Sequence, residues 1–276
     1  MNKLTVGICV YDDYDGAYFT LQSLRMHHRE VLDRLEFVVI NNNPKSNQGK
    51  ALYNLKGWVK EPLTYVEFDA FSSTGLRDKI FSLASTEYVL VMDCHVLIEP
   101  GALKKLLAFY DSAMDEGNLL QGPLLYDDLT TVSTHFDLSK WGSHMWGSWS
   151  TDERGTDRDS QPFEIPAQGL GLFTCRKDSW LGLNSSFRGF GGEEGYIHTK
   201  YKNYGKKTLC LPFLRWLHRF DRPDGIPFNV DLKDRFRNYM IGFQETGKNT
   251  DEVIEQFKST VPANYMTEVK QELGIK

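Results

Sequence analysis

Short apolar runs alternate along the chain with longer stretches in which apolar residues recur every three or four positions. Leu4 to Val10 reads as a strand, followed by helical spacing through Phe19, Leu21 and Leu24. Glu36 to Ile40 forms a second strand pattern that ends in Asn41-Asn42-Asn43-Pro44, with a short helix predicted over Gln48 to Trp58. Leu63 to Phe68 is a third strand, and a helix over Gly75 to Ala84 leads into the run Glu87-Tyr-Val-Leu-Val-Met-Asp93-Cys94-His95. This alternation predicts an α/β fold with a mixed, mainly parallel sheet flanked by helices. Further on, the pattern predicts a helix from Pro100 to about Met114, a strand from about Leu119 to Tyr126, and a helix opening at Glu193. Residues 1–227 read as one domain. Residues 228–276 read as a helical extension packed on it, with Asn249-x-x-Glu252 spaced like a capping box and a last helix, Asn264 to Leu273, ending before Gly274.

In sheets of this kind ligands bind beyond the carboxyl ends of the strands. The polar clusters Asp12-Asp13, Asn41 to Asn43 and Asp93-Cys94-His95 all fall at such ends, so one crevice can collect them. If the chain stays extended through Asp93 and His95, both side chains point to one side and can face a cation while Cys94 turns toward the protein. One carboxylate and one imidazole suit Mn²⁺ better than Mg²⁺, which prefers oxygen ligands. The plainer alternative is an Asp that opens a turn, with His95 a satisfied loop residue.

Composition narrows the classes. The chain has 276 residues, 41% hydrophobic and 13% aromatic, enough for one large core. A formal net charge of -5 argues against a polyanion binder, and nucleic acid is not favoured as a partner. The one locally basic stretch, Lys200 to Lys207, reads as a solvated helix end with Gly205 at its C-cap. Cys9, Cys94, Cys175 and Cys210 are widely spaced and read as reduced thiols. No long apolar run is present, and Met1-Asn2-Lys3-Leu4 enters a strand pattern without a signal-like hydrophobic region. A cytoplasmic protein with no membrane span is the expectation.

The ordered set strand-Tyr-Asp-Asp, strand-Asn-Asn-Asn-Pro, Gly75-Leu76-Arg77-Asp78-Lys79, Asp93-Cys94-His95, Gly191-Gly192-Glu193-Glu194 and Trp216-Leu217-His218 resembles GT-A fold glycosyltransferases of the family 2 type. It is most similar to the catalytic domains of polypeptide N-acetylgalactosaminyltransferases and chondroitin polymerases, over roughly Leu4 to Phe220. The resemblance implies a metal-dependent transfer from a nucleotide-sugar donor, UDP-linked, to an acceptor hydroxyl on a glycan, protein or small molecule. It implies His218 as a third ligand beside Asp93 and His95 for Mn²⁺ (or Mg²⁺), which would act as a Lewis acid on the leaving diphosphate. Asp13 and Asn41 to Asn43 would read base and ribose, Arg77 would reach the phosphates or the base, and Tyr11 and Arg222 would also contact the nucleotide. Gln168-Gly169-Leu170-Gly171 is similar to the family's glycine-rich strand beneath the sugar. Of the two acids at the predicted helix start, Glu194 is expected to be the general base and Glu193 to orient substrate. Glu194 stands where inverting family 2 enzymes carry Asp and the mucin-type retaining enzymes carry Asn, which leaves the stereochemistry open.

Two segments are expected to move. Trp141 to Trp149, with three tryptophans among small and polar residues, reads either as a flexible aromatic loop over the sugar or as anchors on the core. Arg219 to Gly225 reads as a charged lid, solvated until nucleotide binds. A GT-A-like nucleotidyltransferase and a noncatalytic nucleotide-sugar-binding module are the competing functional readings.

Overall fold

The computed structural model describes residues 3–223 and 225–275. Its first half is a doubly covered parallel sheet. β1 (Leu4–Val10) lies between β2 (Leu35–Asn41) and β4 (Tyr88–Asp93), and β3 (Leu63–Glu67) flanks β2, all in parallel. Helices α1 (Tyr14–His27), α2 (Asn47–Leu52), α3 (Leu55–Trp58) and α4 (Leu76–Leu83) make the connections. Such crossovers leave the strands no wet face, which is why β1, β2 and β4 are nearly continuous apolar runs. Period two then divides their side chains between two cores. Leu4, Val6, Ile8, Leu90 and Met92 enter one, whereas Val38, Ile40, Val89 and Val91 enter the other. Gly7 lets α4 rest on the sheet, because a Cβ there would lie 2.1 Å from Cγ2 of Ile80.

The second half completes the sheet and builds its rim. In chain order come β5 (Val96–Ile98), α5 (Ala102–Asp111), β6 (Leu119–Gln121), β7 (Leu124–Leu125), β8 (Val132–Ser133), β9 (His135–Gly142) and β10 (Met145–Ser150). β11 (Phe163–Glu164), β12 (Leu172–Arg176), α6 (Glu193–Asn203), β13 (Thr208–Cys210) and β14 (Trp216–His218) follow, then α7 (Leu232–Thr246), α8 (Asp251–Phe257) and α9 (Ala263–Leu273). The large sheet has the order β11-β13-β6-β12-β4-β1-β2-β3, with β12 antiparallel to β4. A smaller sheet, β5-β14-β7-β8, sets β14 against the strand that follows the Asp93 turn. Among the described residues no helix is long and apolar enough to cross a membrane.

Several local expectations are corrected. The single helix over Gln48 to Trp58 is two short helices, and Gly122-Pro123 splits the strand over Leu119 to Tyr126 into β6 and β7. Asn249-x-x-Glu252 forms no capping box: α8 starts at Asp251, and the Asn249 side chain accepts from the Asp251 amide. The tryptophan segment is not a flexible loop but an antiparallel hairpin, β9 with β10, closed by Ser143 and His144 at φ 47° and 64°. Its Trp146 is buried with Phe236, Met240 and Phe257, so α7–α9 and the hairpin share one apolar cluster. Gly195 makes room for that indole at the start of α6, since a Cβ would meet Trp146 at 2.3 Å.

Candidate active site

A cavity of about 740 Å³ opens at the carboxyl ends of β1 and β4. Tyr11 and Asp13 after β1, Arg77 on α4, Asp93 and His95 at the end of β4, Glu194 at the start of α6, His218 on β14 and Arg222 beyond it all face it. The backbone explains the first pair. Asp12 adopts a left-handed conformation (φ 48°), and Asp13 then becomes the N-cap of α1, its Oδ1 accepting from the Gly16 amide at 3.0 Å.

His95 lies in a turn rather than in an extended strand, so the alternation expected across Asp93 and His95 is not what brings them together. The neighbouring strand does. β14 pairs antiparallel with β5, which places His218 opposite Val96 and Nε2 of His218 3.1 Å from Nε2 of His95. Asp93 Oδ2 is 3.5 Å from the same His218 nitrogen. One ligand atom from each of Asp93, His95 and His218 therefore lies within 4.8 Å of the others.

The chemistry of this donor set fits a divalent cation. His95 Nδ1 is 2.9 Å from Asp13 Oδ2, the carboxylate-to-imidazole contact that fixes a ring with its other nitrogen free to ligate. Burial lowers the His95 pKa, and His218 and Arg222 lower it further against the pull of Asp13 and Asp93, so the ring is neutral at pH 7. Burial opposes ionisation of Asp93, yet His218, Arg77 and His95 outweigh it and hold the carboxyl below the usual range. His218 Nδ1 is buried without a partner. A second grouping, Asp13, Cys94 and His95, fits a cation poorly. Burial and the adjacent acids keep the Cys94 thiol protonated, and a thiol is a weak ligand.

The two glutamates differ sharply. Glu193 is fully buried and absent from the cavity wall; its Oε2 accepts from the Gly191 amide at 2.9 Å, and its Oε1 lies 3.7 Å from Arg77 Nη1. Glu194 lines the cavity, and its Oε2 has no partner. Burial raises both carboxyls, that of Glu193 up to about 8 with the charge of Glu194 as the next cause. Arg77 faces the cavity with its guanidinium engaged by Asp93 at 3.3 Å and by Glu193, which makes it an orienting group between two acids.

Nucleotide-side residues are distributed unevenly. Tyr11 faces the cavity and meets Phe228 edge-to-face at 6.4 Å. Asn41 does not face it: the side chain is fully buried and donates to the Gly49 carbonyl and Tyr65 hydroxyl, both at 2.8 Å. Asn43 is drawn away to Asp12 at 2.8 Å. Of the three, Asn42 is the one on the cavity wall. Gly169 and Gly171 reach the wall from the loop before β12, not from a strand, and a Cβ on Gly171 would lie 2.9 Å from Trp216.

Arg219 and Arg222 of the segment after His218 reach back to the site, while Phe220, Asp221, Pro223 and Gly225 are exposed, as in a solvated lid. Arg219 pairs with Asp13 at 2.9 Å, and Arg222 Nη2 donates toward His95 Nε2 at 2.8 Å. Asp224, within the expected lid, lies outside the described residues. Within the Trp141 to Trp149 segment, read either as a cover for the sugar or as core anchors, Met145 and Trp149 line the cavity; sequence reasoning missed Phe136 from β9 and Arg235 from α7, which line it too. It also missed the Arg219–Asp13 pair, although both charges stand beside expected site residues.

A model of glycosyl transferase family 2 matches residues 5–175. No curated protein sequence matches significantly. Among solved structures, the chain is similar to GalNAc-T7 with UDP, GalNAc and Mn²⁺ (TM-score 0.70, 15% identity), covering 99% of this chain and 55% of that one. It is also similar to S. aureus TarS 1-349 (TM-score 0.55, 13% identity; 92% of this chain, 69% of that one). The TarS 1-349 complex with UDP-GlcNAc gives a TM-score of 0.59 at 12% identity, over 99% of this chain and 80% of that one. The chain thus spans little more than half of GalNAc-T7, and at these identities the likeness is one of fold, the GT-A fold.

Proposed function

The chain belongs to glycosyl transferase family 2, and from that premise we propose that it transfers a hexosyl or N-acetylhexosaminyl group from a UDP-linked donor to an acceptor hydroxyl, with a divalent cation. The observation that carries the reading is the meeting of Asp93, His95 and His218 with an unpartnered Glu194 in one cavity. UDP in the GalNAc-T7 complex and UDP-GlcNAc in the TarS complex support a UDP-linked donor, and Mn²⁺ in the former supports that metal over Mg²⁺.

Asp93, His95 and His218 would hold the cation, which as a Lewis acid would stabilise the diphosphate that leaves. Asp13 fixes the His95 ring and Arg77 fixes Asp93, so the ligands are oriented before anything binds. Arg222 is the cation nearest the ligand set, and by turning from His95 Nε2 to the phosphates it would release that nitrogen for the cation. Tyr11 offers a ring to the nucleoside and Asn42 its amide oxygen, the NH₂ being held by the Phe68 and Phe71 carbonyls. Glu194 takes the proton of the acceptor hydroxyl; its raised pKa makes it a stronger base than an exposed carboxylate. Glu193, behind it, holds the Gly191 amide and braces Arg77, which orients the site without touching substrate. Residues 228–276 act as an extension of the transfer domain, closing the far wall of the cavity through α7.

Calorimetry with UDP tests the shared metal site. Mn²⁺ should strengthen UDP binding, and Asp93→Ala or His218→Ala should abolish that increment. Equal UDP affinity with and without metal in the native protein would contradict the site.

A further inference from the structure

Arg235 is buried at 8% exposure, yet its side chain makes no hydrogen bond or ion pair among the described residues, and its Nε is sealed from solvent without a partner. An unpaired buried charge is costly, and folded chains rarely keep one that nothing receives. The position is built for it. Gly191, at φ 106°, passes beside the side chain, and a Cβ there would lie 2.5 Å from the Arg235 Nε. Gly192 likewise makes room for Asn238, whose amide holds the Arg188 and Gly191 carbonyls at 2.7 and 2.9 Å. The two glycines before Glu193 therefore let α7 press its Arg235 against the loop that carries Glu194.

Arg235 and Glu194 both line the cavity, they do not pair, and neither side chain has a hydrogen-bond partner among the described residues. A donor that needs an acceptor and an acceptor that needs a donor, facing one space, match a hydroxyl. Its oxygen accepts from the guanidinium while its proton goes to the carboxylate. A carboxylate or phosphate would meet Glu194, Asp231 and Asp234 on the same wall, so a neutral polyol fits better than an anion. We propose that Arg235 is a sugar-binding residue that, with Glu194, clamps a hydroxyl of a pyranose ring. This rests on the glycosyl transfer reading, and the ring belongs either to the donor or to the acceptor.

Arg235→Met tests it, because Met keeps the stem and removes the charge. The donor arm compares UDP with UDP-GlcNAc and UDP-GalNAc by calorimetry in Mn²⁺. The acceptor arm measures binding of methyl glycosides of glucose, GlcNAc and GalNAc to the UDP–Mn²⁺ complex by saturation-transfer NMR. The variant should bind UDP as the native protein does and lose about 10- to 100-fold of the sugar-dependent affinity in one arm, which identifies the ring. Its melting temperature should hold or rise, since an uncompensated charge has gone, whereas a structural arginine would lower it. Unchanged sugar-dependent affinity in both arms overturns the assignment, as does a fall in melting temperature with UDP binding lost. Failure of the native protein to bind UDP with Mn²⁺ instead overturns the underlying reading, and the clamp with it.

Discussion

Replacing Asp13 by Asn leaves one oxygen where the native side chain uses two. Oδ1 receives the Gly16 amide and Arg219, and Oδ2 receives His95 Nδ1 and Arg219. Asn is as good an N-cap as Asp, so the amide can keep its oxygen on Gly16 and turn its NH₂ toward His95, or do the reverse. The first choice points a donor at a donor and releases the imidazole. The second loses the cap, at about 1 kcal/mol. Removing a partner that orients a metal-ligating histidine costs about 10- to 100-fold in affinity, or roughly 1.4 to 2.7 kcal/mol. That exceeds the cap term, so the metal-free molecule keeps the cap while the loaded one turns its oxygen to His95 and gives the cap up, which limits the loss of affinity to about the cap term. Electron paramagnetic resonance of free Mn²⁺, titrated with protein in the presence of UDP, gives the affinity, and a melt in EDTA gives the stability. The expected result is an Mn²⁺ site weaker by about 2- to 30-fold, the cap term expressed as affinity, with a small change in melting temperature. Native Mn²⁺ affinity in Asp13→Asn would refute the argument that Asp13 prepares His95.

Glu194→Gln should lower turnover by about two to four orders of magnitude with little change in UDP-sugar affinity, while Glu193→Gln, which cannot reach substrate, should cost less; rates and donor affinity measured together decide. In metal-free protein the raised pKa of Glu193 means that the folded state keeps a proton the unfolded chain has released between its ordinary range and about 8. Native stability should therefore fall as pH rises through that window, by up to about 1.4 kcal/mol per pH unit, and Glu193→Gln should flatten the slope in denaturant titrations. Identical slopes in the two proteins would place the proton elsewhere. Arg222→Ala should strengthen Mn²⁺ binding without UDP by about two- to fivefold, because its guanidinium sits on a ligand nitrogen, and should weaken UDP binding; a loss of metal affinity would contradict that competition.

Strands buried on both faces are easy to read, and β1, β2 and β4 declared themselves as apolar runs ending in polar residues. The Asp93, His95 and His218 cluster proposed to hold the metal was legible in residue type for the same reason, although the geometry differed: His95 joins Asp93 through a turn and through the register of β14 against β5, which no local pattern encodes. Asn41 to Asn43 show the limit of residue type. Three identical side chains take three directions, because Asn41 is the last residue of β2 and points inward while Asn42 already belongs to the crevice. The tryptophan hairpin was missed because its turn, Ser143-His144, lacks the Asn-Gly signature of such turns, and Gly and Ser within it read as loop. Arg235 had no signal in the sequence. What marks it is a missing partner, a property of the packed molecule.

The central claim is that this chain breaks the bond between a sugar and UDP, using a cation held by Asp93, His95 and His218. ³¹P NMR of reactions with UDP-GlcNAc and UDP-GalNAc, with a glycan acceptor panel and quenched in EDTA, reads the products directly. The account requires UDP to accumulate with Mn²⁺, to cease with chelator, and to be absent for Asp93→Ala and His218→Ala. Sugar 1-phosphate in place of UDP, the product of attack on the α-phosphate, or UDP formed equally well in chelator, would contradict it.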